Sequence, residues 1–249
     1  MTAPATGPAG PRSVDRALEI LDAVADAPRP VPAKTLAREL GCALSTVYHL
    51  LGPLTARGHL IRTPEGYAPG PRVPALHQAF RSHLQIGPGI GELLLRVRRE
   101  AGAEAYFTTY HDGRITVIDT TAPAAGPEPW TPGIERRAHA TAHGKALLAA
   151  LPRTARRRYL DDHGMPRLTE RTITTGDRFE AELARVRAQG LAVSVGEADP
   201  AYTCLAVTLP DRPRAGVVQA VSVAVPTRTF RRRQGELRSV VRRAAAGRL

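Results

Sequence analysis

Four polar side chains, Ser45, Thr46, Tyr48 and His49, are interleaved with the apolar residues Val47, Leu50, Leu51 and Leu54. On a helix this apolar set, at i, i+3, i+4 and i+7, faces inward and leaves the four polar residues outward near the start. Hydroxyl, phenol and imidazole groups so placed can bond base edges and phosphate oxygens in a DNA groove. Lys34 and Arg62 lie on the flanking segments, where a cation would meet phosphates. His139 and His143 have the HxxxH spacing that zinc sites use on a helix. No Glu follows the first His and no third ligand has a fixed relation to the pair, so a polar turn at a helix start is favoured and no metal is expected. Cys204 with His143 as base would make a thiol hydrolase. A thiolate needs an accessible electropositive site, however, and Cys204 opens an apolar strand, CLAVTL. Neither an enzyme nor a cofactor is expected.

The elements that must hold these residues follow from periodicity and turn chemistry. Residues 13–27 read as a helix with Ser13 as its cap and Val14, Leu18, Leu21 and Val24 inward. The prolines at 28 and 30 end it. A second helix over 33–40 turns Leu36, Ala37 and Leu40 inward, and Gly41 supplies the left-handed cap. The third helix starts near Leu44; Pro53 removes its bond to residue 49 and predicts a kink beyond the outward-facing turn. Residues 58–70 read as a hairpin around Pro64-Glu65-Gly66. Two helices across a tight glycine turn, with a third helix and a hairpin, make a winged helix-turn-helix. Residues 73–86 read as a connecting helix, and Pro88 with its neighbouring glycines marks a boundary. Beyond it stand a helix at 90–101, two strands joined across Asp112-Gly113, and a Pro/Gly-rich loop holding Trp130. Helices at 143–151, 154–160 and 178–189 follow, then strands at 191–195, 204–209 and 216–225. The last helix, 228–246, places Phe230, Leu237, Val240, Val241 and Ala244 on one face. The runs Arg156–Arg158 and Arg231–Arg233 read as solvated faces, the alternative being contact with flanking DNA or an acidic partner.

Composition bounds the rest. The 249 residues are 43% apolar and 23% charged, which excludes a disordered chain. A net charge of +12 points to an anionic partner. Yet only Lys34 and Lys145 among the 35 basic residues are lysine, the arginine excess of a GC-rich coding sequence, so total charge is a weak guide. Residues 12–72 carry eight basic and six acidic side chains, and residues 81–249 carry 27 and 17. Cys42 and Cys204 belong to no paired motif and fit a reducing cytosol. The first eleven residues lack the basic start and apolar run of a signal peptide and read as a disordered tail. No stretch approaches the ~20 apolar residues of a membrane span, so a cytoplasmic protein with no membrane partner is expected.

Two stretches together resemble the isocitrate lyase regulator (IclR) family of bacterial transcription factors. One runs from SVDRALEILDAVA through TLARELGCALSTVYHLLGPLTARGHL to GYAPG; the other is HATAHGKALLAALP followed by VRAQGLAV, Glu197, CLAVTLPD and VVQAVSVAVP. They span nearly the whole chain in the family's order and spacing. The resemblance implies an α+β protein: a disordered tail over 1–11, a winged helix-turn-helix DNA-binding domain over 12–72, a linker helix over 73–86, and an effector-binding domain over 87–249. The first domain would also make a dimer contact. The last would be a GAF-like α/β domain whose twisted antiparallel sheet is flanked by helices. The resemblance further implies an effector pocket at Ala142 and His143, before GKALLA, with Ser194, Tyr202, Cys204 and Ser222 on later strands and Ala224 where serine is common. His143, Tyr202 and Ser222 would donate to a carboxylate, and Leu205 or Val207 would supply an apolar wall. The function expected is that of a ligand-responsive repressor. It would bind near-palindromic double-stranded operator DNA as a homodimer or tetramer, under control of a small metabolite. The competing expectations are a Cys/His hydrolase-like enzyme and a non-specific nucleic-acid-binding protein.

Overall fold

The computed structural model describes residues 11–122, 134–210 and 216–246. The expected N-terminal tail up to residue 10 and the Trp130 loop over 123–133 lie outside these residues. The chain divides into two compact units, one ending at His83 and one beginning at Leu84.

The first unit is built from α1 (Arg12–Asp26), α2 (Ala33–Glu39), α3 (Leu44–Ala56), the hairpin β1 (Leu60–Arg62) and β2 (Tyr67–Pro69), and α4 (Arg72–His83). Ile20, Val24, Leu36, Val47, Leu51, Leu60 and Tyr67 form its core. The expected inner face of α1 needs correction. Ile20 and Val24 are buried, whereas Val14 and Leu18 are each 52% exposed, because only the second half of α1 packs into this core. Nor does Ser13 cap the helix; it lies inside the first turn, and Pro11, whose ring fixes φ, occupies the cap position. Gly41 takes φ +59° as the turn requires. α3 runs through Gly52 and Pro53 as one α-helix. Both Pro53 and His49 are exposed, so water can satisfy the carbonyl that Pro53 leaves without a donor. The hairpin is fastened to the helices by an antiparallel bridge between Val31 and Tyr67, with N···O distances of 2.8 and 2.9 Å. Gly66 is required there, since a Cβ would lie 2.5 Å from the Val31 backbone. α4 buries none of its residues, and Val73, Leu76 and Phe80 are exposed along it.

The second unit holds α5 (Ile90–Ala101), β3 (Ala105–His111), β4 (Arg114–Thr120), a 3-10 helix (Ile134–Ala140), α6 (Ala142–Ala150), α7 (Arg153–His163), α8 (Gly176–Gln189), β5 (Ala192–Val195), β6 (Tyr202–Thr208), β7 (Val218–Pro226) and α9 (Thr227–Ala245). Its five strands form one antiparallel sheet in the order β4-β3-β7-β6-β5. Side chains alternate across the sheet. Phe107, Leu205, Val207, Val221, Val223 and Val225 face one core with α5 and α9. Tyr110, Ala206, Val218 and Ala220 face a second core with α6, α7 and α8. Both sides of β7 are therefore covered, which is why GVVQAVSVAV reads as a nearly continuous apolar run. The buried face of α9 is Phe230, Leu237, Val240, Val241 and Ala244. The 3-10 helix before α6 was not legible in the sequence.

Candidate functional site

On the first unit, Ser45, Thr46, Tyr48 and His49 are all exposed on the first two turns of α3, Tyr48 by half its surface. Val47 and Leu51, buried between them, fix the helix's rotation so that these four groups point outward. Lys34 on α2 and Arg62 on β1 are exposed as well. The result is a rigid helix face carrying one phenol, one imidazole and two hydroxyls, with a cation on each neighbouring element.

On the second unit, strand register gathers most of the expected effector residues on the sheet face turned to α6. Ser194 stands opposite Cys204, and Cys204 opposite Ala224. In the next row Ala206 stands opposite Ser222, and Ser222 opposite Tyr106. Ala142 and His143 open α6 over this face, and both are buried. The Ser194 hydroxyl donates to the Ala140 carbonyl, which ties β5 to the 3-10 helix. Ser222 Oγ, 1% exposed, has no hydrogen-bond partner among the described residues. Tyr202 is not brought into this buried group. It sits 38% exposed at the start of β6, opposite Pro226. Leu205 and Val207 are corrected too: each is one residue out of phase with Cys204 and Ala206 and points into the opposite core.

Thr141 caps α6. Its Oγ1 accepts from Gly144 N at 3.2 Å, donates to the Ala138 carbonyl at 3.2 Å and lies 3.2 Å from His143 Nε2. The His143 tautomer decides which of Thr141 Oγ1 and His143 Nε2 donates in that contact. Full burial holds the His143 imidazole down at about 3, so it is neutral across the physiological range. Gly144 has no substitute: a Cβ there would lie 2.1 Å from the Ala138 carbonyl oxygen.

The HxxxH pair does not share a helix. His139 belongs to the 3-10 helix, with Nε2 2.9 Å from the Pro166 carbonyl, and the chain turns at Thr141 before His143 enters α6. Among the described residues no three His, Cys, Asp or Glu side chains are grouped to hold a metal. Burial pushes the Cys204 thiol up to about 12, helped by the charges of Asp199 and Glu197, so it is a poor nucleophile at neutral pH.

Sequence reasoning missed the most polar feature of this unit. Lys145 is fully buried, with Nζ 2.5 Å from Glu197 Oε1, 3.3 Å from Glu182 Oε1 and 3.5 Å from the Val193 carbonyl. Arg185 bonds the other oxygen of Glu182, and Thr172 Oγ1 donates to the Glu197 carbonyl at 2.7 Å. Glu197 Oε2 has no hydrogen-bond partner among the described residues, and burial raises this carboxyl's pKa against the pull of Lys145. The available signal was a lysine, one of only two in the chain, inside the apolar helix AHGKALLAA. Arg156 also departs from its expected solvated face. It is buried, grips Glu180 through two bonds of 2.8 and 2.9 Å, and donates to the Leu151 carbonyl, while Arg157 and Arg158 are exposed. A groove of about 510 Å³ opens near the far end of α6, between Ala146, Leu151, Val186 and Thr208, and none of the six expected effector residues lines it.

Comparison with known proteins finds two family models in the chain. The IclR helix-turn-helix domain matches residues 13–64, and the C-terminal domain of the bacterial transcriptional regulator IclR matches residues 79–247. The HTH-type transcriptional regulator BhcR of Paracoccus denitrificans is 29% identical over 226 residues, covering 88% of this chain and 78% of that protein. Among solved structures, Thermotoga maritima IclR superposes with a TM-score of 0.71 at 21% identity, covering 95% of this chain and 98% of that one. An IclR homolog from Microbacterium hydrocarbonoxydans complexed with 4-hydroxybenzoate gives 0.68 at 19% identity, covering 94% and 96%.

Proposed function

The chain belongs to the IclR family of bacterial transcriptional regulators, and from that premise we propose a metabolite-controlled repressor of the cytoplasm. Residues 12–72 act as the DNA reader, 73–86 as the connecting segment and 87–249 as the effector domain. The observation that carries the DNA reading is the outward set Ser45, Thr46, Tyr48 and His49 on a helix locked by Val47 and Leu51. In the major groove these groups meet base edges, while Lys34 and Arg62 neutralise phosphates. A homodimer, or a tetramer made from two, sets two such helices on a near-palindromic operator whose half-sites lie one helical turn or a multiple apart. The exposed apolar residues Val14 and Leu18 on α1, and Val73, Leu76 and Phe80 on α4, support self-association of the first unit. A dimer seated on a promoter blocks polymerase, hence repression.

The effector binds the second unit against Ala142, His143, Ser194, Cys204 and Ser222, with Tyr202 at the rim. The free Ser222 hydroxyl supports this assignment, because a buried group without a partner is costly unless something else supplies one. No cationic side chain is among these residues, and neutral His143 cannot supply one, so a carboxylate effector is held by neutral donors. A 4-hydroxybenzoate complex of a structural neighbour makes small aromatic carboxylates the first probes. The effector shifts the DNA-bound population only by its affinity difference for the two states.

The test is a gel shift of the full chain on the upstream region of its own gene, with and without random competitor. A specific regulator discriminates by roughly 10³ or more. Equal competition by random DNA would refute the reading in favour of a non-specific coating protein.

A further inference from the structure

The arginines of α9 fall into two sets that the fold treats differently. Seven of its nineteen residues are arginine, against a single acid, Glu236. Arg233 is engaged by Glu236 and the Ala101 carbonyl, Arg243 by Glu100 and Ser239, and Arg242 by the Gln189 carbonyl; Arg238 lies against the Gln234 amide. Arg228, Arg231 and Arg232 are exposed and have no side-chain partner among the described residues. Spaced at i, i+3 and i+4, these three share one face of the short first segment of α9, which ends in a kink at Arg233 (φ −120°, ψ 24°). Phe230, buried between them in sequence, fixes that face toward solvent.

This arrangement opposes the fold's own interests. Like charges at this spacing repel one another, and they stand at the helix end whose free N–H groups are already positive. The first turn of α9 carries no acid. The adjoining loop, which bonds Thr227 through the Ala201 carbonyl, offers one exposed acid, Asp199, and its Oδ1 is occupied with Ala201 N. The fold thus leaves three guanidiniums without a counter-charge. At 1.5 Å of rise per residue Arg228 stands about 4.5–6 Å along the axis from Arg231 and Arg232, and those two, about 1.5 Å apart in rise, diverge by about 100° around the axis, so the three reach separate phosphate oxygens.

We propose that this face of α9 binds the phosphate backbone of duplex DNA beyond the segment read by α3. The proposal rests on the DNA-binding reading above and adds a second point of contact. Neutralised phosphates supply the sequence-independent part of DNA affinity, yet residues 12–72 have only two more basic than acidic side chains. The surplus lies in residues 81–249, and α9 carries the densest part of it. DNA already held by the same molecule matches this face in sign and charge density. An acidic protein would match in sign alone.

Fluorescence anisotropy of the full chain over a salt series tests this. Two duplexes are compared: one trimmed to the base pairs whose substitution abolishes discrimination, and one longer by about two helical turns at each end. The variant R228Q/R231Q/R232Q is set against R153Q/R157Q/R158Q, which removes the same charge from exposed positions on α7. On the long duplex the α9 variant lowers the slope of log K against log salt by about 2.7 per chain, at about 0.9 per lost phosphate contact. On the short duplex it leaves the slope unchanged, and the α7 variant leaves both nearly unchanged. An unaltered slope on the long duplex overturns the proposal and leaves an acidic protein as the partner of this face. Equal losses from both variants also overturn it, since they would reflect overall charge. Binding of neither duplex by the unaltered chain refutes the DNA reading, and this proposal with it.

Discussion

Replacing Lys145 by methionine keeps an unbranched side chain one atom shorter and deletes its charge. The loss strands two carboxylates, because Glu182 and Glu197 both bond Nζ in a fully buried site. Glu182 retains Arg185, but Glu197 retains no cation in contact. Breaking a buried pair from one side typically costs about 3–5 kcal/mol, mostly the penalty on the charge left behind. For a unit of this size each kcal/mol lowers Tm by about 2–4 °C, so calorimetry should show a fall of about 6–20 °C. The pH dependence carries the sharper test. Burial already raises the pKa of Glu197 above its ordinary 4.5, and removing the lysine raises it further. A carboxyl with a raised folded pKa contributes stability fully below its unfolded pKa and loses it as pH rises through the folded value. The defect should therefore be smallest near pH 5 and grow toward pH 8, and E197Q in the same chain should relieve most of it at pH 8. A K145M loss below about 1 kcal/mol, or one that is flat across this pH range, would show that Lys145 fills space and neutralises nothing.

Y48A/H49A should abolish operator discrimination in the gel shift while leaving Tm unchanged, since both side chains are exposed; retained discrimination would mean that another face of α3 reads the DNA. S222A should raise the stability of the ligand-free protein by about 1 kcal/mol, the low end of the cost of an unpaired buried hydroxyl, because Ser222 Oγ has no partner. A lower melting temperature in urea or heat would show that the hydroxyl is satisfied and is not waiting for a ligand. G144A should cost about 3 kcal/mol or more, beyond ordinary overpacking, because its methyl group meets backbone at 2.1 Å and backbone cannot turn aside. A melt within about 1 kcal/mol of the unaltered chain would show that the 3-10 helix yields.

The outward polar face of α3 was legible because one helix carries both halves of the signal: apolar residues at helical spacing and polar ones between them. Gly41 and the alternating strands were legible for similar local reasons. What escaped was decided by distant partners. In AHGKALLAA nearly every position is apolar, so periodicity could not say what surrounds Lys145, and its acids lie 37 and 52 residues away. Arg156 sits in a basic run that looks solvated until Glu180 is brought to it. The inner face of α1 was misjudged because Val14 and Leu18 in its first half join no core inside their own unit. Leu205 and Val207 were assigned to the wrong side of the sheet by one residue, the smallest error a period of two allows.

The joint between Gly144 and Ala138 has a mechanical consequence. Elastic packing can soak up a small push by letting side chains slide, but here backbone rests on backbone with no methyl group between to give way. A molecule that wedges under Ala142 and His143 would therefore shift the helix and the preceding turn together. Ser194, clasping the Ala140 carbonyl, would draw the edge strand β5 along. Such a corner behaves as a lever rather than a cushion, and it would convert the thickness of a bound molecule into travel at the margin of the sheet.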